Sequence, residues 1–395
     1  MGSLDAPHDM SRHEITEHAG YLRDEVKLAA YRAALAEVVK PGMTVLDLGA
    51  GTGILGLLAA EAGAHRVYAV DSGSIVGAAR VVAQVNGYAD RIVGVRQFST
   101  RVTLPEPIDV AVCDQIGGLA YDAGVLEYFR DARTRMLLPG GALVPASFQL
   151  FLAPVTTDFW TKTVGLWDTR PGGFDLSPMA EHAANTEFRI ELAPSAFLAR
   201  PVKFAEVAAD CDDPIRGTVE VRIERGGELH GIAGMFMAQL SPSVTLTNCP
   251  LWPSFFQRWQ TFYPLRHAIT VAADDIVVAE FDVRPRIYLT TWTVTVHRAG
   301  SGAGPVVQRA STVLGQLLTP DDLAVERGAA VPHHSPAVAA DRYALDLVDG
   351  SRSLGEIIQL VWEGHRDAFR TPEDAKRRVT WLLARCLREQ VPCVI

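Results

Sequence analysis

Residues 43–63, MTVLDLGAGTGILGLLAAEAG, pass from an apolar run through alternating glycines straight into a second apolar run. A buried strand, a tight turn and a helix in immediate succession leave few folds open. Glycines at 49, 51 and 53 let the backbone adopt positive φ and approach a ligand closely. The helix that follows presents unpaired N–H groups and the positive end of its dipole. VYAVD (67–71) is the next apolar strand, a helical stretch runs to about Asn86, and RIVGVRQ and IDVAVCDQ are further strand candidates. Strands alternating with helices need crossover connections, so a parallel, doubly wound, Rossmann-like α/β domain is expected over residues 41–147. Pro41-Gly42 separates it from an N-terminal helical segment within 1–40, where Val26, Ala30, Leu35 and Val38 fall near one stripe.

The spacing G-x-G-x-G is one residue short of the dinucleotide pattern G-x-G-x-x-G, because position 54 is Ile. Asp71 ends the following strand, 18 positions beyond Gly53, where a carboxylate can accept from both hydroxyls of a ribose. As an ordinary strand-end residue it would only cap the next helix. Asp47, Gly49, Gly51, Gly53, Asp71 and the adjoining Ser72 together point to S-adenosylmethionine (SAM), with S-adenosyl-L-homocysteine as product, ahead of a nicotinamide dinucleotide.

Past residue 147 the pattern changes. FQLFLAPV, GTVEVRIER, HGIAGMFMAQL, ITVAADDIVVAEFDV and IYLTTWTVTVHR alternate with period two between turn residues, which predicts an antiparallel sandwich or barrel over 148–318. LWDTRPGGFDLSPMAEHAANTEF (166–188) interrupts it with a loop and a helical segment. Residues 319–395 read as a separate helical module. Ser353-Leu-Gly-Glu356 and Thr371-Pro-Glu-Asp374 are capping boxes, EIIQLVW and AKRRVTWLLARCLRE are helices, and VPCVI is a closing strand. A hairpin near 327–341 followed by helices would make this module winged-helix-like.

At 395 residues with 48% hydrophobic and 21% charged, the chain is expected to hold several domains of ordinary globular character. A net charge of −9 argues against a nucleic-acid partner. No run approaches the ~18 apolar residues of a membrane span, and MGSLDAPHDMSRHE lacks the apolar core of a signal peptide, so no membrane association and a cytoplasmic location are expected. Cys113, Cys211, Cys249, Cys386 and Cys393 have neither metal-ligand nor disulfide spacing, and His333-His334 lack companion ligands.

Over about residues 18–297 the chain resembles the protein arginine methyltransferase family. VLDLGAGTGILGLLAAEAGAHRVYAVD is similar to its first two motifs, and GFDLS (173–177), HGIAGMF (230–236) and VRPR (283–286) follow in the family's order, covering about 18–297. The resemblance implies a SAM domain, a β-barrel substrate domain, and an inserted arm, here about 166–200, that makes a head-to-tail homodimer. It places Lys27, in DEVKLAAYR, where the family has an arginine for the SAM carboxylate. Thr100 stands where the family has an adenine-site glutamate, and His18 aligns with a family histidine.

The acceptor motifs depart from the pattern. The family clamps a guanidinium between two glutamates on a hairpin by paired charge-assisted hydrogen bonds. Here CDQIGGLAYD carries Asp114 and Asp122, eight residues apart, with Tyr121 beside the second. The Thr-His-Trp element becomes Gln257-Arg258-Trp259 within FQRWQT, so Gln257, Arg258 and Trp259 are the expected acceptor contacts, and HDMSRH (8–13) replaces an aromatic pair. Two acids with an altered surround predict a SAM-dependent N-methyltransferase of an amino- or guanidino-bearing small molecule or peptide rather than a standard protein arginine methyltransferase. Asp114 would orient or deprotonate the nitrogen, and Asp122 or Tyr121 would assist. O- or C-methylation with Arg258 or Lys27 holding an anion, and an idle SAM-binding scaffold, are the alternatives. The sulfonium is itself the electrophile, so no metal is expected.

Overall fold

The computed structural model describes residues 7–386 except Asp212, Ser301, Ala303, Asp321 and 324–334, with side chains from 15 to 383. VPCVI, Cys393, His333 and His334 lie outside the described residues, and for HDMSRH only the backbone is described. The chain divides into two compact units near residues 317 and 318.

The first unit opens with α1 (Pro7–Leu22) and α2 (Glu25–Val38), then a five-stranded sheet. Its strands are β1 (Thr44–Leu48), β2 (Arg66–Asp71), β3 (Ile92–Arg96), β4 (Ile108–Cys113) and β5 (Leu137–Val144), in the order β3-β2-β1-β4-β5, and every pairing is parallel. Central β1 is buried at all five positions, as a strand covered on both faces must be. The sheet is the doubly wound one expected. The order reverses between β2-β1 and β4, and at such a switch point a crevice opens beyond the carboxyl ends of the strands. Leu48 pairs with Cys113, so Gly49 and Asp114, the residues that follow each, flank that crevice.

The apolar stripe of α2 differs from the expected one. Lys27, Tyr31, Ala34 and Leu35 are buried, whereas Val26 is 46% exposed. Asp24 caps the helix through the Lys27 N–H, and the Lys27 ammonium is drawn inward by its pairing with Asp114. The Tyr31 hydroxyl then donates to the Cys113 carbonyl at 2.8 Å, tying the helix to the end of β4.

Beyond β5, among the described residues, ten strands form two antiparallel sheets. The first contains β6 (Ser147–Val155), β7 (Phe188–Ile190), β8 (Val202–Ala208), β10 (Gly227–Gln239), β11 (Thr245–Thr247) and β12 (Gln260–Val271), ordered β7-β12-β10-β6-β8 with β11 on β10. The second runs β15 (Val306–Ser311), β14 (Leu289–His297), β13 (Ile276–Arg284), β9 (Ile215–Arg222). Alternating burial along β13 and β14 is the period-two signature read from the sequence. One apolar core runs from Tyr31 and Phe129 through Phe148 and Phe236 to Tyr263, uniting the parallel and antiparallel sheets.

The insertion begins earlier than expected. Helix Asp158–Thr163 opens it, helix Pro178–Ala184 follows, and by Phe188 the chain is back in the sheet as β7. Arg266 of β12 pins it by pairing with Asp168 and Glu181.

The second unit packs helices Pro336–Asp346, Leu354–Gly364 and Pro372–Cys386 around Ala344, Ile357, Val361, Val379 and Leu383. Ser353 and Glu356 form the expected reciprocal capping box, and Thr371 Oγ1 accepts the Asp374 N–H at 3.1 Å. Residues 336–341, expected in a hairpin, are helical because Ser335 caps the helix and Pro336 sits at its first position.

Candidate functional site

A cleft of about 400 Å³ lies beyond the carboxyl ends of β1 and β4. Its floor is the glycine turn. Gly49, Gly51 and Gly53 have φ of 71°, 52° and 81°. A Cβ on Gly49 would stand 2.2 Å from the Gln115 side chain, and one on Gly51 would stand 2.5 Å from the His18 ring. The glycines are therefore required by conformation and by space.

Asp71 braces the turn. Its two oxygens accept the N–H groups of Gly51 at 2.9 Å and Gly73 at 2.6 Å, and it lines the cleft beside Ser72. Asp47 lies beneath. One oxygen accepts the Gly56 N–H at 2.8 Å, and the other is buried with no partner among the described residues. Burial, reinforced by Asp114, pushes its carboxyl up to about 8. A positive-φ cradle, a strand-end carboxylate and an unsatisfied acid at the floor fit the polar end of a nucleoside ligand such as SAM.

Across the cleft, Lys27 Nζ lies 2.7 Å from Asp114 Oδ2 and 5.1 Å from the centre of the Tyr21 ring. Between Asp114 and Asp122 the chain makes a tight turn closed by a Gly117–Ala120 bridge, with Ala120 at φ 66°. Asp122 Oδ1 accepts the Leu119 N–H at 3.1 Å, and Arg189 of β7 stands 3.9 Å from Oδ2. Arg258 donates from Nε to the Ile116 carbonyl at 2.9 Å and lies over the rings of Trp259 and Tyr21 at 4.4 and 5.6 Å. Arg189 lies 5.0 Å from the same indole, whose Nε1 is buried without a partner among the described residues.

Three expected site residues are elsewhere. Thr100 sits exposed in a short 3-10 turn and does not line the cleft, because the turn after β3 carries it outward. Gln257 is also exposed; its backbone N–H is held by Asp24 at 2.9 Å. Tyr121 is buried, with its hydroxyl 3.1 Å from those of Tyr263 and Thr290, so it faces the antiparallel sheets instead of the cleft.

The structure also adds residues that the sequence did not single out. Glu187, on the connection into β7, lies near Asp122, with Thr290 Oγ1 3.5 Å from its carboxylate. Burial, with Asp122 adding to it, pushes its carboxyl up to about 7. Tyr21 brings an aromatic ring to the cleft from α1. Glu187 carried no local signal, 65 positions beyond Asp122 within a segment that reads as an arm. Tyr21 could have been found from its place just ahead of DEVKLAAYR.

Residues 32–145 match the family model described as ribosomal protein L11 methyltransferase (PrmA), and residues 146–290 match the arginine methyltransferase oligomerization subdomain. The arginine N(omega)-methyltransferase of Streptomyces achromogenes subsp. streptozoticus is 30% identical over 268 residues, 65% of this chain and 73% of that protein. The chain belongs to the arginine methyltransferase family. It is a class I SAM-dependent methyltransferase.

Other members of the family are similar over as much or more of their length. Protein arginine N-methyltransferase 6 of Xenopus laevis is 29% identical over 299 residues, 69% of this chain and 86% of that protein. The fold is shared with a Trypanosoma brucei PRMT1 enzyme–prozyme heterotetrameric complex with AdoHcy, at a TM-score of 0.65 and 19% identity over 74% of this chain and 97% of that one. These relatives overturn the expected small-molecule or peptide N-methyltransferase distinct from the standard family activity: the named proteins are predominantly protein arginine N-methyltransferases. The physical reason is visible in the cleft. Gln257 is outside it, Arg258 is engaged with a backbone carbonyl and two rings, and the acids at 114 and 122 are kept, with a third at 187. The motif changes decorate the acid pair without replacing it. Among the described residues no helix is long and apolar enough to cross a membrane.

Proposed function

We propose that the protein transfers a methyl group from SAM to a guanidinium nitrogen of arginine in a polypeptide. The observation that supports this reading is the acid pair: Asp114 lines the SAM cleft, and Asp122, at the end of the turn that follows it, lies beside Arg189 of the cleft wall and near Glu187. Carboxylates accept N–H bonds from a planar guanidinium in paired fashion, which orients the nitrogen for in-line attack. SAM, when bound, supplies a methyl on a positively charged sulfur. Gly49, Gly51, Gly53, Asp71 and Ser72 hold its nucleoside end, and Lys27 holds Asp114 in place while offering a cation to the SAM carboxylate.

Methylation of a guanidinium releases one proton. Asp122 accepts an N–H of the acceptor, and Glu187, poised near neutrality, takes up the proton beside it. Tyr21 and Trp259 wall the site and reduce water access.

The two antiparallel sheets are read as the family's β-barrel, and the insertion between β6 and β7 as a dimerisation arm. Phe174 (74% exposed), Leu166 and Leu176 give that arm an apolar surface suited to a second copy of the chain. Light scattering at micromolar concentration is expected to give a homodimer, and a monomer would refute the arm.

The activity is tested by incubating the protein with SAM and arginine-containing polypeptides, then locating the added methyl by fragmentation. A methyl on a guanidinium nitrogen is the expected result. Transfer to another atom, or SAM binding without consumption, overturns the reading.

A further inference from the structure

Among the described residues the cleft is lined by three cations, Lys27, Arg189 and Arg258, and they are not equally matched by carboxylates. Lys27 is paired with Asp114 at 2.7 Å, whereas Arg189 meets Asp122 only at 3.9 Å, with its side chain 57% exposed. Arg258 lines the same cleft, and among the described residues no carboxylate lies within ion-pair distance of it. Both guanidinium groups lie against Trp259, at 5.0 and 4.4 Å from its ring centre, so they share one region of the wall. A positively charged acceptor arriving there would meet two arginines whose charges are incompletely compensated. Glu187, with its carboxyl pushed up to about 7, compensates Arg189 only in part.

We propose that Arg189 and Arg258 form a carboxylate-binding subsite, so that the protein prefers an arginine with an acidic residue beside it in the acceptor chain. This rests on the arginine-methyltransferase reading. Binding is then an exchange of counter-ions. The acceptor guanidinium takes Asp122, and the neighbouring carboxylate takes the arginine released from it together with Arg258. Guanidinium groups suit the task because they present several donors in a fixed plane and stay charged at all relevant pH. Both stack on Trp259, and Arg258, which gives Nε and Nη2 to the Ile116 carbonyl, is held preorganised with its other terminal nitrogen left for a ligand. An acceptor with basic neighbours would add further positive charge to the same wall. Such like-charge placement is a means of rejecting a partner as well as choosing one.

The test uses the full chain, SAM, and capped peptides of one length with a single arginine beside Asp, Asn or Lys, plus a peptide ending in arginine with a free terminal carboxylate. The Asp peptide is expected to exceed the Asn peptide in kcat/KM by about tenfold, mainly through KM, and the Lys peptide to fall below both. The advantage should shrink as salt is raised, because Arg189 is more than half exposed. In Arg189→Gln and Arg258→Gln the Asp-to-Asn ratio should move toward one, with S-adenosylhomocysteine binding measured to confirm that each variant is folded. A preference carried only by the terminal-carboxylate peptide would keep the subsite and assign its ligand to a chain end. Equal use of the Asp and Asn peptides by the unaltered protein, with no advantage for the terminal-carboxylate peptide either, overturns the subsite and leaves arginine methylation standing. An Asp preference undiminished in both variants also overturns it. No transfer to any peptide overturns both readings.

Discussion

The two ends of the cleft are built in different ways. The donor end comes from one continuous stretch: Asp47, Gly49, Gly51, Gly53 and Asp71 lie within a single strand–turn–helix–strand unit. The acceptor end draws Tyr21 from α1, Asp114 from the loop after β4, Arg189 from β7, and Arg258 and Trp259 from the approach to β12, with Asp122 and Glu187 adjoining Arg189 behind that wall. A turn that depends on backbone conformation tolerates little substitution, because φ and close approach leave no slack. A wall assembled from side chains on separate elements can exchange residues and keep its chemistry. That difference explains how the acceptor motifs diverged while the acid pair survived.

The contrast breaks most readily at the glycine turn. Gly51→Val places a branched side chain at φ 52°, against His18, and is expected to weaken S-adenosylhomocysteine binding by about 100-fold or more, read by calorimetry. If binding is unchanged, the donor end is less rigid than its geometry shows. Next in size is Asp114→Asn. It leaves buried Lys27 without its counter-ion and the acceptor without a carboxylate, and kcat/KM is expected to fall roughly 30- to 1,000-fold, as for truncation of one partner in a buried charge pair.

Glu187→Gln sharpens the acceptor side through pH. The folded protein holds this carboxyl at about 7, above its ordinary value of 4.5, so the native state binds the proton more tightly than the unfolded one. The stability that Glu187 contributes is therefore complete below about pH 4.5 and lost as pH rises through about 7. The variant should flatten the decline in Tm across that window. If Glu187 takes the reaction proton, kcat/KM of the unaltered protein rises through about pH 7 and loses this limb in the variant, with a fall of about 10-fold or more. A pH profile that keeps its limb would remove Glu187 from proton transfer.

Two smaller effects separate lining residues from their neighbours. Tyr121→Phe removes a hydroxyl paired with Tyr263 and Thr290 and should cost about 1 kcal/mol of stability in denaturant unfolding, with little change in KM. Thr100→Ala, on an exposed turn outside the cleft, should shift cofactor affinity less than about twofold in the same calorimetric measurement.

By itself the sequence determined the parallel sheet, the position of the glycine turn and Asp71, and the change to antiparallel strands after residue 147. Those features are local, governed by hydrophobic period and by the backbone freedom of glycine, and periodicity needs no knowledge of distant contacts. The family's motif order also pointed to the segment after β4 that carries Asp114 and Asp122. Only the tertiary structure decided which residues meet across the cleft. Thr100 and Gln257 stand at matching places in the sequence order yet face solvent, and Tyr121 turns inward to Tyr263 and Thr290. Glu187 and Arg189 carry no local signal, but the pairing of β7 with β12 brings them to Asp122 and Trp259. Side-chain direction at a loop or strand end depends on what packs behind it, and that is a property of the assembled core, not of the residues alone.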